Sequence, residues 1–178
     1  IELTQVAPEA LSGILWWGIS AIKVIWVLIF IGFAIKVPVF PFHTWLPLAH
    51  VEAPTAISVL LAGILLKLGV YGILRVNYGL MPDGVYWFSY ALALLGLVNV
   101  VWGGLCALAQ TDLKKLVAYS SVNHMGYSLI GMAAVVAAGE SHGLNMKAAQ
   151  AGLGGAVFQM FNHGTISAML FILSLIHI

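Results

Sequence analysis

Ala53-Pro54-Thr55-Ala56-Ile57-Ser58-Val59-Leu60-Leu61-Ala62-Gly63-Ile64-Leu65-Leu66-Lys67-Leu68-Gly69-Val70-Tyr71-Gly72-Ile73-Leu74 carries one charge, Lys67, inside an otherwise uncharged run. The run exceeds the roughly 20 residues that cross a hydrocarbon core of about 30 Å. The same signal recurs on both sides of it. Gly84 to Thr111, Leu116 to Gly139 and Ala148 to Ile178 contain no Asp, Glu, Lys or Arg. A further apolar stretch, about Ile19 to Val39, holds Lys23 near its start and Lys36 near its end. The gaps predict about five spans, near residues 19–39, 55–77, 86–109, 114–138 and 152–174. Backbone groups cannot be left unpaired in lipid, so each span is expected to be helical. The predicted fold class is therefore an all-α integral membrane protein, a polytopic transmembrane helix bundle.

Composition agrees with that reading. Of 178 residues, 62% are hydrophobic and 7% charged, and the mean hydropathy is +1.04. Soluble domains carry about 25% charged residues. A net charge of +1 with no basic run excludes nucleic acid as a partner and leaves the lipid bilayer as the surroundings. The one cysteine, Cys106, allows no internal disulfide and no cysteine-ligated iron–sulfur cluster within the chain; it reads as a small buried hydrophobe. The chain opens Ile1-Glu2-Leu3, without a Met or a basic signal segment, and ends in the apolar Ser174-Leu175-Ile176-His177-Ile178. Truncation at both ends is the expectation.

Breakers and polar residues collect between the runs. Phe40 to Pro54 contains Pro41, Pro47, Pro54, His43, His50 and Glu52, and is expected to be a structured polar loop. Met81-Pro82-Asp83-Gly84 reads as a turn. Thr111 or Asp112 is placed to cap the helix that begins near Lys114 and Lys115. Gly139 to Gly152 is a longer polar connection. Lys114 and Lys115 favour the cytoplasmic side for their turn and for the Phe40–Pro54 loop, with Lys147 as a counter-signal on the other side.

Four ionisable residues inside the runs carry the chemistry. Lys36 is followed by Pro38, which removes a backbone donor and breaks the helix. An interrupted helix beside an ionisable group is a recurring ion site in transporters, although a lysine snorkelling at the membrane boundary fits the position equally well. Lys67 is flanked by apolar residues on both sides. A central lysine costs about 2.5–3.5 kcal/mol on insertion scales, so it should face protein or water, either as a proton carrier or in a structural ion pair. His124 shares a helix face with Ser120 and Ser128, and His163 shares one with Gln159 and Ser167, by four-residue spacing. Such faces suit a chain of proton-exchanging groups or plain helix–helix hydrogen bonding. Two histidines and two lysines together favour a relay. His43, His50 and Glu52 match no metal-ligand spacing, and no phosphate loop or nucleophile turn is present, so neither metal nor nucleotide is expected.

In order along the chain stand Ala34-Ile35-Lys36-Val37-Pro38, Phe42-His43-Thr44-Trp45-Leu46-Pro47, Ala49-His50-Val51-Glu52-Ala53-Pro54-Thr55 and Leu60 to Gly72. Thr111-Asp112-Leu113-Lys114-Lys115-Leu116, Tyr119-Ser120-Ser121-Val122-Asn123-His124-Met125-Gly126 and Gln159-Met160-Phe161-Asn162-His163-Gly164 follow. From about Ala21 to Leu173 the chain resembles the antiporter-like membrane subunits (subunit M, or chain 4) of proton-pumping NADH:quinone oxidoreductase, respiratory complex I.

The resemblance implies that the runs correspond to the seventh through eleventh of fourteen helices, in the membrane of a respiratory complex, with a bacterial inner (plasma) membrane as the expected location. It implies a relay of Lys36, Lys67, His124 and His163, supported by Pro38, Ser120, Gln159 and Asn162. A glutamate partner would lie on the fifth helix and a further ionisable, acidic partner on the twelfth, both outside this sequence. NADH, FMN, iron–sulfur clusters and quinone would bind partner subunits, so this chain would be one subunit of a translocase enzyme with no redox centre of its own. A subunit of a multi-subunit sodium (or potassium)/proton antiporter is the main alternative, and a membrane scaffold the third. Two departures stand out: Leu48 replaces a charged residue found in many relatives, and residues 174–178 do not match the usual continuation, so His177 is given no role.

Overall fold

A computed structural model describes residues 15–16, 19–134 and 146–174. Within them the chain is a bundle of helices, preceded by a minimal antiparallel ladder of β1 (Leu15–Trp16) with β2 (Ile19–Ser20). The helices are α1 (Ala21–Lys36), α2 (Trp45–Glu52), α3 (Thr55–Tyr78), α4 (Pro82–Leu108), α5 (Leu113–Ala133) and α6 (Met146–Ser174). Among the described residues, three helices are long and apolar enough to cross a membrane: α3, α4 and α6. The expected connection over 139–152 and the residues after Ser174 lie largely outside the described residues.

Local chemistry sets the helix ends. α4 starts earlier than expected because Pro82 occupies its first turn, where no intrahelical donor is needed, and Asp83 follows it there. Asp112 caps α5, its Oδ1 accepting from Lys114 N at 2.8 Å and Lys115 N at 3.2 Å. α3 is not a uniform α-helix. Two π-helical stretches, Leu61–Leu65 and Ile73–Tyr78, widen it, and the first sits immediately before Lys67. Such stretches change which face the following residues present.

The segment expected to be a polar loop is different in kind. Residues Trp45–Glu52 form α2, which tolerates Pro47 because it falls in the first turn. His50, read from sequence as a loop residue, is fully buried, its ring stacked on Phe171 at 4.4 Å. His43 is also buried, against Phe40 and Tyr119. The loop reading is therefore corrected to a short helix that buries Leu46, Pro47 and His50, and residues 37–44 alone separate it from α1. Across that interruption Val37 N bonds Phe33 O at 2.8 Å and Val39 N bonds Ala34 O at 2.9 Å; the Phe40–Pro41 peptide is cis.

Packing is densest between α4 and α5 and between α5 and α6. The main core joins Trp26 and Phe30 of α1, Leu66, Val70 and Ile73 of α3, Leu92 of α4 and Val122, Met125, Leu129 and Met132 of α5. Trp26, Phe30 and Phe88 form an aromatic cluster with centroids 4.7 to 5.4 Å apart. Outside the core, Leu94, Leu108, Phe158, Phe161 and Met169 are exposed. A surface of this kind is compatible with lipid and not with water.

Candidate functional site

The relay candidates meet where α3, α5 and α6 touch. α3 and α6 approach closely at Gly63 and Gly164; a Cβ on residue 164 would stand 3.0 Å from Gly63 O and 3.5 Å from Lys67 Cε. That approach brings Lys67 to His163. Lys67 is half-buried and His163 is 3% exposed. Lys67 Nζ lies 2.6 Å from His163 Nδ1 and also donates to Ala62 O, the carbonyl of the π-helical turn before it. His163 Nε2 lies 3.1 Å from Ser121 Oγ.

The hydrogen-bond pattern assigns the protons. Ser121 has one hydroxyl hydrogen, and it is directed to Val117 O at 3.0 Å. Ser121 Oγ must then accept from His163, which places a hydrogen on Nε2 and leaves Nδ1 as an acceptor. Lys67 Nζ is therefore the donor toward His163 Nδ1. A proton moving along this bond leaves a neutral amine on Lys67 and an imidazolium on His163, with no heavy-atom rearrangement.

His124 extends the cluster. Its ring centroid is 5.3 Å from that of His163, and its Nδ1 accepts from Gln159 Nε2 at 2.9 Å. Ser167 Oγ donates to His163 O at 2.5 Å, so it braces the helix and not the imidazole. Lys67, His163, His124 and Gln159 thus form one connected polar group drawn from three helices.

Other sequence candidates fall elsewhere. Lys36, the last residue of α1, is exposed and is not part of this cluster. Its Cβ lies beside α3, 3.3 Å from where a Cβ on Gly69 would stand. Pro38 lies in the interruption that follows Lys36. Ser120 bonds its own helix at Val117 O and faces away from the histidines, into a groove with Asn123 and Leu116. Asn162 is half-buried, and its carbonyl accepts from Thr165 Oγ1. Among the described residues no group of His, Cys, Asp and Glu stands together as a metal site.

Three residues matter more than sequence reasoning allowed. Ser121 fixes the His163 tautomer. His50 is fully buried with neither ring nitrogen hydrogen-bonded, and its α2 ends beside α5, where Lys114 Nζ lies 3.4 Å from Ala53 O. Asn99 is fully buried in α4 and bonds the backbone of the interruption between α1 and α2. Its signal was visible: it is the one amide of the apolar helix Pro82–Leu108.

Residues 4–178 match the family described as NADH:quinone oxidoreductase/Mrp antiporter, transmembrane. The chain is 45% identical over 172 residues to the NADH-quinone oxidoreductase subunit M of Rickettsia conorii, covering 97% of this chain and 30% of that protein. It is 49% identical over 144 residues to the NAD(P)H-quinone oxidoreductase chain 4 of a Synechococcus strain, covering 81% of this chain and 25% of that protein. Among solved structures, it superimposes on a chain of respiratory complex I from Thermus thermophilus with bound NADH, at a TM-score of 0.72 and 28% identity over 86% of this chain and 30% of that one. It also superimposes on a chain of the Mrp complex from Dietzia, at a TM-score of 0.71, 22% identity and 95% of this chain; at that identity the likeness is one of fold. The sequence therefore spans under a third of the length of these relatives.

Proposed function

Because the chain belongs to the NADH:quinone oxidoreductase/Mrp antiporter transmembrane family, we propose that it is the proton-carrying part of a membrane subunit of NADH:quinone oxidoreductase. The observation that carries the reading is the 2.6 Å contact between Lys67 and His163, inside the membrane-type bundle. A lysine ammonium in hydrocarbon is costly; one bonded to an imidazole has a site to which its proton can go. Proton transfer from Nζ to Nδ1 moves one charge from α3 to His163 on α6, whose ring stands 5.3 Å from that of His124 on α5. Gln159 donates to His124 Nδ1, which puts the hydrogen of the neutral ring on Nε2.

Lys36 enters this reading through the path of the chain. The carbonyl of Trp26 accepts from Asn77 Nδ2 near the α3–α4 turn, while Ala53 O is bonded by Lys114 at the α4–α5 turn. Residues 21–53 thus run from one end of the bundle to the other as a single crossing, interrupted at 37–44, and Lys36 sits midway along it. On this reading that crossing and α5 join α3, α4 and α6 as about five spans.

Electron transfer from NADH to quinone would occur in partner subunits, which would hold FMN and the iron–sulfur clusters. Those partners would be the other membrane subunits of the complex, in a bacterial plasma membrane. The same lysine–histidine geometry could serve a cation/proton antiporter, the reading favoured by the fold likeness to the Mrp complex. The full-length protein in its membrane assembly, in sealed vesicles, separates them. NADH oxidation by quinone that acidifies the lumen without sodium supports the respiratory reading. A sodium gradient that moves protons with no NADH present overturns it.

A further inference from the structure

The interruption after α1 poses an accounting problem. Pro38 and Pro41 have no N–H, and the break frees carbonyls that a continuous helix would bond. Two side chains from other elements take up what is left. Asn99 of α4 accepts from Phe40 N through Oδ1 at 2.7 Å and donates from Nδ2 to Pro38 O at 3.3 Å. Trp45 of α2 donates from Nε1 to Ile35 O at 2.9 Å. One turn beyond Asn99, Trp102 meets the Phe40 ring edge-on at 6.1 Å. The backbone on each side of Lys36 is therefore held, by Trp45 at residue 35 and by Asn99 at residues 38 and 40.

We propose that Asn99 is a positioning residue: its amide clamps residues 38 and 40 within the interruption and so fixes where the Lys36 side chain leaves the bundle. Asn99 touches no proton-carrying group and acts through the backbone alone. An amide is suited to this place because it supplies a donor and an acceptor without a charge in a fully buried site. This inference rests on the reading of Lys36 as a proton-carrying group, but the clamp itself is measurable without it.

The test uses the full-length protein in its membrane assembly, carrying Val39→Cys as a reporter. Val39 is 1% exposed between the two Asn99 bonds, and cysteine is close to it in size. Maleimide labelling at position 39, read by peptide mass spectrometry, is compared among Asn99, Asn99→Leu and Asn99→Asp. Leucine keeps the branching and the number of heavy atoms and removes both bonds, while a protonated aspartic acid reproduces both. Loss of two buried partners should speed labelling about tenfold or more in Asn99→Leu, with Asn99→Asp closer to the parent. Protons pumped per NADH, measured on the same membranes, should fall in Asn99→Leu and recover in part in Asn99→Asp. Faster labelling with unchanged pumping upholds the clamp and overturns the role given to Lys36. Equal labelling in all three overturns the clamp, whatever the pumping does.

Discussion

Replacing His163 in two ways separates a proton carrier from a hydrogen-bonding strut. In His163→Gln, the amide oxygen can accept from Lys67 Nζ, which lies 2.6 Å from Nδ1 in the parent. The amide nitrogen can donate to Ser121 Oγ, 3.1 Å from Nε2. Both bonds survive, so stability should change by less than about 1 kcal/mol. Glutamine cannot bind a proton, and transfer from Lys67 stops there. In His163→Leu both bonds disappear. Ser121 keeps its bond to Val117 O, so no orphan donor arises on α5, but Lys67 retains only Ala62 O. A hydrogen bond to a charged group is worth about 1.5–3 kcal/mol, which disfavours the ammonium by roughly tenfold to a hundredfold. The assay is lumen acidification in sealed vesicles during NADH oxidation, normalised to electron transfer from NADH to an artificial acceptor as a measure of assembled complex. Both variants are expected to assemble and to lose most of the acidification. Parental acidification by His163→Gln would refute proton transfer through His163 and return it to a packing role.

Two further outcomes follow from the packing. At Gly69, an added methyl would stand 2.6 Å from Val37 Cγ2 and 3.3 Å from Lys36 Cβ; Gly69→Ala should therefore destabilise by about 1–3 kcal/mol through overpacking, seen as a lower thermal unfolding midpoint in detergent, and an unchanged midpoint would contradict the α1–α3 contact. Asp112→Ala removes the α5 cap and should cost about 1 kcal/mol, read as earlier chemical unfolding with protons pumped per NADH unaltered in the assembled fraction.

Much of the fold was legible because lipid imposes a simple rule. Uncharged runs long enough to cross it show up as gaps between charges; α4 and α6 fall largely on such runs, and α3 on an apolar run interrupted by Lys67. Asp112 was legible as a cap because its chemistry is local. The interruption after Lys36 was legible from Pro38, but the helix beyond it was not. His43, His50 and Glu52 gave residues 40–54 a polar look, whereas α2 buries His50 against Phe171, a residue distant in sequence.

The site was legible as a set of residues and not as a geometry. Helical spacing put His124 and His163 on polar faces, but could not say that Lys67 meets His163 and not His124. That pairing depends on the close approach at Gly63 and Gly164 and on the π-helical turn before Lys67. Ser120 illustrates the converse: it shares a face with His124 in sequence, yet its hydroxyl is turned to Val117 O. Asn99 escaped notice because a single amide in an apolar helix reads equally as a packing residue until its partners are known.

Whether Lys67 carries protons is read from protons translocated per NADH oxidised in vesicles bearing the full-length Lys67→Ala protein in an assembled complex. With Lys67 as a carrier, the ratio falls below the parent's while electron transfer to an artificial acceptor persists. A ratio equal to the parent's, with assembly intact, would contradict it.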